Sequence, residues 1–297
     1  MTPTEPPADE SDGNDAADPK AAVVADGLTK RYGDTAVVED LYLGIEAGTV
    51  YGLLGPNGAG KTTTIRMLTG LAPPTDGSAR VAGVPVSDRE TLVSQIGYLP
   101  ESTPIRGQFT GREQLAHHGR LRGMESREID GRTEALLERL ALDSADDRVV
   151  TYSKGMRRKV GLIQAIMHEP SVVFLDEPTA GLDPRATRTV REVVTELADG
   201  GTTVCLSTHI LPVVEAVADR VGICHEGELV AEGPSKELRR APGRHRSNPR
   251  GRLPPPDERA RREPVIAIGA GQRSTDSTLI SGYPSSISIR VRTVQPS

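Results

Sequence analysis

The stretch Gly55-Pro56-Asn57-Gly58-Ala59-Gly60-Lys61-Thr62 has the spacing of a loop that cradles a polyphosphate. Gly58 and Gly60 let backbone N–H groups converge on phosphate oxygens with no Cβ in the way. A helix opening directly after the loop adds its partial positive charge. Lys61 supplies a mobile cation for the outer phosphates, Thr62 a hydroxyl for Mg²⁺ and Thr63 a further donor. Downstream, four apolar residues, Val172 to Leu175, deliver two adjacent carboxylates. Asp176 is suited to hold Mg²⁺ through its shell, and Glu177 to reach an attacking water as base or orienter. His209 stands just past the apolar run Thr203 to Ser207. Residues of these types at these spacings predict binding and hydrolysis of a nucleoside triphosphate.

The elements that must position them can be read around them. Val50 to Leu54 looks like a buried parallel strand, and Ile65, Leu68 and Thr69 recur at helical spacing behind the loop. Val172 to Leu175 is a strand delivering acids at its carboxyl end, where open α/β sheets bind ligands. From Ala21 to Gly52, β-like runs (Ala22 to Ala25, Ala36 to Val38, Leu41 to Ile45) alternate with turns, which predicts an antiparallel sheet feeding the parallel one. Tyr32, in the first turn, is one of eight aromatics; it either stacks on an adenine or is packed. Ile96 to Leu99 reads as a strand that exits the sheet at Pro100-Glu101. Charged helices follow from Thr110 to Leu142, with Ile129, Thr133, Leu136, Leu137 and Leu140 on one face, so a helical insertion spans about 102–168. It includes Tyr152-Ser153-Lys154-Gly155-Met156, which opens a helix carrying Val160, Ile163 and Met167. Asp183-Pro184 caps another helix, and Val221 to Cys224 with Leu229 to Ala231 forms a closing hairpin.

The chain has 297 residues and a formal net charge of −5, unevenly spread. From Ala241 onward there are ten Arg and four acidic residues, so the tail is +6 and residues 1–240 carry −11. A strongly acidic body argues against nucleic-acid binding. Only six of the 36 basic residues are Lys, a balance that suits a high-salt cytoplasm and equally a GC-rich genome. Cys205 and Cys224 lie in apolar β-like runs without metal spacing and read as core residues. No apolar run approaches the ~20 residues that span a bilayer. Residues 1–20 hold four Pro and six acids, lack the pattern of a signal peptide and are expected to be disordered. The same is expected of the Arg/Pro/Ser-rich stretch 241–297, although its β-like runs Val265 to Ile268 and Ile287 to Val291 are able to pair. The expected globular unit is 21–240, and the expected location is the cytoplasm.

Taken together, these residues resemble the nucleotide-binding domain of ATP-binding cassette (ABC) transporters over about 21–240. The phosphate loop, the signature-like Tyr152-Ser153-Lys154-Gly155-Met156, Asp176-Glu177, Ala180-Gly181-Leu182-Asp183 and His209 occur in that family's order. The resemblance implies an α/β fold: a P-loop NTPase core with a mixed parallel sheet, an N-terminal antiparallel β subdomain and a helical insertion. It implies ATP and Mg²⁺ as cofactors, with Glu101 joining Thr62 and Asp176 at the metal. It also implies a head-to-tail dimer, of two copies or with a related chain, in which Ser153 and Gly155 meet the partner's γ-phosphate. Asp183 then faces the partner as well as capping its helix, and His209 contacts the γ-phosphate. The working partner would be a separate polytopic membrane permease, with this chain peripheral on the cytoplasmic face. Two departures stand out: Lys154 and Met156 replace the signature's usual Gly and Gln, and Glu101 replaces a usual Gln. Both resemble single-domain ATPases of ABC-2-type exporters, including the copper-handling ATPase of nitrous-oxide reductase maturation. A soluble ABC ATPase acting on ribosomes or nucleic acid is the alternative, opposed by the single phosphate loop and the lack of a heptad run.

Overall fold

In the computed structural model, residues 20–238 are described, together with three short strands at 267–269, 278–279 and 288–291. Two long strands come first, β1 (Ala21–Tyr32) and β2 (Thr35–Glu46), paired antiparallel. In β2 the residues alternate strictly, Leu41, Leu43 and Ile45 buried and Tyr42, Gly44 and Glu46 exposed, as a sheet with one wet face requires. The shorter runs expected here are fused into these two strands. Register shifts beside Gly27 and Asp40, both at positive φ (59° and 47°), absorb the turn-forming residues as bulges instead of breaking the strands.

The chain then enters the main sheet through β3 (Val50–Leu54), whose five residues are all buried, and leaves it into α1 (Lys61–Leu68). It returns to the first sheet as β4 (Asp76–Val81) and β5 (Val84–Pro85), in the order β2-β1-β4-β5, and passes α2 (Arg89–Gln95) into β6 (Ile96–Leu99). The helical insertion follows: α3 (Gly111–Leu121), α4 (Ser126–Arg139) and α5 (Lys154–Ile166). A capping box fixes the start of α3, with Thr110 Oγ1 accepting from Glu113 N and the Glu113 carboxylate accepting from Thr110 N. α4 buries Ile129, Thr133 and Leu137, the stripe expected from its sequence.

From there the chain crosses back and forth through β7 (Val172–Asp176), α6 (Pro184–Asp199), β8 (Thr203–Thr208), α7 (Leu211–Val217), β9 (Arg220–His225), β10 (Glu228–Pro234) and α8 (Ser235–Leu238). The six-stranded order is β10-β9-β3-β8-β7-β6, parallel except for β10. Two apolar cores cover its two faces, and the alternation along β7 divides them: Val173 and Leu175 join the core under the helical insertion, Val172 and Phe174 the core under the antiparallel sheet. Cys205 and Cys224 are buried in the latter as free thiols, which burial pushes up to about 12. Parallel pairing puts the carboxyl ends of β3, β6, β7 and β8 on one edge, and the site is built there.

In the tail, residues 267–269 pair antiparallel with 288–291, which pair in turn with 278–279. Three short strands thus occur within a stretch expected to lack them, two of them overlapping the runs noted as β-compatible and the third, 278–279, outside both. The expectations for residues 1–19 and the rest of 239–297 lie outside the described residues.

Candidate functional site

Six residues, Gly55 to Gly60, carry the chain from β3 into α1. Gly60 caps the helix at φ 92°, and a Cβ there would fall 2.8 Å from the Val37 carbonyl oxygen, so both backbone angle and space demand glycine. The loop is fastened at both ends: Gly55 N donates to Thr208 O (3.2 Å), and Gly227 N donates to Ala59 O (3.3 Å). Lys61 Nζ donates to the carbonyls of Gly55 (2.8 Å) and Pro56 (2.9 Å). Burial lowers the pKa of this ammonium, and the Glu177, Asp176 and Glu101 carboxylates pull it back up.

A cleft of about 410 Å³ lies over this loop. Asn57, Gly58, Gly60, Lys61, Thr62 and Thr63 form one wall, and Glu101, Glu177, Ala180, His209 and Val37 the other. A larger groove of about 920 Å³ opens at the amino ends of the strands, where Ala47, Ser171 and Thr202 lie, but none of the expected phosphate or metal ligands reaches it.

Asp176 ends β7 fully buried, and its Oδ1 accepts from Thr62 Oγ1 (3.2 Å) and from the Ser207 hydroxyl. Its Oδ2 is buried without any donor. An orphaned carboxylate oxygen costs free energy unless something positive completes it. The donors around it, Asp176 Oδ2, Thr62 Oγ1 and the Glu101 side chain on the cleft wall, are all hard oxygens, so the set fits a small divalent cation such as Mg²⁺. Glu177 sits at φ 49°, a left-handed conformation that a non-glycine residue adopts only when its surroundings enforce it. Its N–H donates to Ser207 O (3.0 Å), and its carboxylate accepts from Thr208 Oγ1 (3.2 Å) and meets His209 Nδ1 at 2.8 Å. His209 is therefore joined to Glu177 directly, a pairing absent from the sequence reading.

A second residue escaped that reading altogether. Arg158, 4 % exposed on α5, donates to five main-chain carbonyls: Pro100 (2.6 Å), Glu101 (2.7 Å), Pro178 (3.4 Å), Asp176 and Glu177. It ties the exits of β6 and β7 to the helical insertion. A signal for it existed: Gly155, Arg158 and Leu162 fall at helical spacing, which places the arginine on the apolar face of α5.

The remaining expected residues lie elsewhere. Tyr32 does not line the cleft, where Val37 does; its ring is 52 % exposed with the Lys30 ammonium 5.1 Å from the ring centroid. Ser153 caps α5 by accepting from Met156 N (3.2 Å), and Asp183 caps α6 by accepting from Ala186 N (2.8 Å). These caps neighbour each other, since a Cβ on Gly155 would fall 3.4 Å from Leu182. They form a second cluster, apart from the cleft of their own chain.

A family model described as "ABC transporter" matches residues 38–180. The chain is 40 % identical over 269 residues to the daunorubicin/doxorubicin resistance ATP-binding protein DrrA of Streptomyces peucetius, covering 89 % of this chain and 81 % of that one. It is 39 % identical over 222 residues to the Nod factor export ATP-binding protein I of Paraburkholderia xenovorans (strain LB400), covering 74 % and 73 %. A solved structure of an ATP-binding subunit of an ABC transporter superposes with a TM-score of 0.69 at 32 % identity, covering 74 % of this chain and 92 % of that one.

Proposed function

The chain belongs to the ABC transporter family as an ATP-binding, ATP-hydrolysing subunit, and from that premise we propose how its own residues do the work and in which direction. The carrying observation is that Lys61, Thr62 and the Glu177–His209 pair line one cleft, with the buried Asp176 carboxylate bonded to Thr62 behind it and its Oδ2 left without a donor. Gly55 to Gly60 and the first turn of α1 hold the β- and γ-phosphates of ATP, with Lys61 turning its ammonium from the loop carbonyls to the outer oxygens. Asp176, Thr62 and Glu101 hold Mg²⁺, which when bound neutralises charge on the phosphates. Glu177 accepts a hydrogen bond from the attacking water, and His209 fixes the orientation of its carboxylate. Tyr32, outside the cleft lining, is assigned to the adenine on family likeness alone.

Ser153, Gly155 and Asp183 form a surface of their own, so we assign them to a second subunit's nucleotide: two chains close head to tail and complete each other's sites. No helix among the described residues is long and apolar enough to cross a membrane. On the likeness to exporter ATP-binding proteins, we assign the membrane passage to a separate permease. That permease docks near Glu101 and the insertion from Thr110 to Leu142 and keeps this chain on the cytoplasmic face. The relatives are named for drug resistance and Nod factor export, which favours export over uptake. Their named cargoes are organic molecules, so copper handling is not carried into the proposal. Residues 21–240 form the catalytic unit. Comparing Lys61→Ala with Glu177→Gln tests the assignment. The first should abolish ATP binding, while the second should keep binding and lose hydrolysis. Unchanged turnover in Glu177→Gln would remove Glu177 from its role.

A further inference from the structure

The hairpin that joins β9 to β10 turns through Glu226 and Gly227. Gly227 is buried although it forms the tip, while Glu226 and Glu228 on either side are exposed. It is pressed between the phosphate loop and β2. Its N–H donates to Ala59 O (3.3 Å), and its carbonyl accepts from Glu39 N (3.0 Å). A Cβ on Gly60 would fall 3.3 Å from Gly227 Cα, and one on Gly227 would fall 2.7 Å from Val37 O. The strand leading into the turn touches the other end of the loop, where a Cβ on Gly55 would fall 2.5 Å from Cys224 O.

The Ala59 carbonyl and the Gly60 N–H share one peptide plane, and in a trans peptide they point in opposite directions. Whatever grips the carbonyl therefore aims the amide. With Ala59 O held toward the hairpin, the Gly60 N–H faces away from it, at a residue that lines the cleft. No acceptor among the described residues takes that N–H. The other half of the turn, the Gly227 carbonyl, holds β2, whose Val37 stands on the opposite wall of the cleft.

We infer that Gly227 is a positioning residue for the nucleotide: its N–H aims the Gly60 amide at the phosphates, and its carbonyl sets the distance to the wall that carries Val37. This rests on the phosphate-loop reading given above. The β4–β5 hairpin supplies the control. Its turn, Ala82-Gly83, has nearly the same backbone as Glu226-Gly227, with φ of 50° and 77° against 49° and 89°, as two-residue hairpins of this twist require. Gly83 is exposed, and a Cβ there would have nothing within 4 Å. An alanine thus meets similar backbone strain at either glycine, but pushes on the nucleotide site only at 227.

The test uses the full-length Glu177→Gln protein, at concentrations where it is monomeric, with Gly227→Ala or Gly83→Ala added. A hydrogen bond to a charged oxygen is worth about tenfold or more, so Gly227→Ala should weaken ATP binding in Mg²⁺ by at least about tenfold. Gly83→Ala should leave it unchanged. With Glu177 restored, Gly227→Ala should raise the KM for ATP by more than it lowers kcat. Should Gly227→Ala fail to fold, amide exchange read by NMR on the Glu177→Gln chain decides. There, ATP and Mg²⁺ should slow exchange at Gly227 together with the loop amides, and leave the Ala82-Gly83 turn as it was. Equal ATP affinity in the two alanine variants would overturn the inference, as would a Gly227 amide indifferent to ATP while the loop amides slow. If ATP slows neither, the phosphate-loop reading falls and takes this one with it.

Discussion

Replacing Arg158 by lysine should damage stability and turnover together. The guanidinium serves five carbonyls at the exits of β6 and β7, an arrangement that its planar fork of five N–H groups can satisfy at once. A lysine has three donors on one nitrogen, so at least two buried carbonyls lose their partner. Each orphaned group costs about 1–3 kcal/mol, or about 2–6 kcal/mol for two, against a total stability of about 5–15 kcal/mol. In urea, with a slope of about 2–3 kcal/mol per molar, the unfolding midpoint should fall by about 1–2 M. The freed carbonyls include those of Glu101 and Glu177, so both side chains lose their fixed position while the phosphate loop keeps its own fastenings to Thr208 and Gly227. The kcat should therefore drop more than the KM rises. A variant with an unmoved midpoint and wild-type kcat would show that water serves these carbonyls equally well and that the clamp positions nothing.

Other expectations follow from single features. His118 and His168, with ring centroids 6.5 Å apart, each have their pKa pushed down to about 4, first by burial and then by the nearby Arg122. Their folded values lie below the unfolded 6.5, so between pH 6.5 and 4 the unfolded chain binds protons that the folded chain refuses, and stability falls as pH drops through that window. With a discount for partial exposure this amounts to about 2 kcal/mol per histidine; the double Gln variant should flatten the acid slope, and an identical slope in a pH series of urea melts would refute it. Asp183→Ala removes the cap on α6 and should cost about 1 kcal/mol of stability, read as a shift in urea midpoint. A cysteine at Gln108, on the rim of a groove of about 530 Å³ that also holds Phe109 and His117, should crosslink to the permease, whereas crosslinks confined to β1 and β2 would move the docking surface. A chain ending at Arg240 should keep the full ATPase rate; loss of activity would bring the tail into the catalytic unit.

What could be read in the sequence is what depends on short stretches of chain. The phosphate loop announces itself because a strand, six loop residues and a helix are consecutive, and Asp176-Glu177 because a short, β-branched-rich apolar run ahead of them suits a buried strand. The Asp183 cap was legible for the same reason, since a cap is satisfied three residues away, whereas Thr110 and Ser153 proved to be caps of the same kind without having been read as such. The β subdomain was over-divided because Gly27 and Asp40 look like turns locally, whereas pairing along the whole strand turns them into bulges. Arg158, Val37 and the Glu177–His209 contact were out of reach for a different reason. Val37 reaches the cleft from β2, beside Gly60; the other two arise where β6, β7 and β8 end side by side, residues 31 or more apart in sequence for β7 and β8, and that adjacency is a property of the sheet order.

The same adjacency explains the division of labour at the site. The groups proposed to bind phosphate come from one continuous segment, so they are pre-arranged by local backbone geometry and survive changes elsewhere. The groups proposed to act on the water come from two strands, and their alignment is held by Ser207, Thr208 and His209 on one side and by Arg158 on the other. Arg158 belongs to α5, whose first turn also carries Ser153, Lys154 and Gly155. A single helix of thirteen residues therefore carries, at its start, the surface proposed for a second subunit's nucleotide and, one turn later, the contact to the Glu177 carbonyl of its own subunit. In the proposed dimer, arrival of a γ-phosphate at Ser153 and Gly155 would bear on the same helix that fixes Glu177. This makes a mechanical prediction: in Glu177→Gln dimers, Arg158→Lys should weaken ATP-driven closure as well as stability, while Lys61-dependent ATP binding by the monomer stays intact. A variant that dimerises normally would separate the two ends of α5 and confine Arg158 to a structural role.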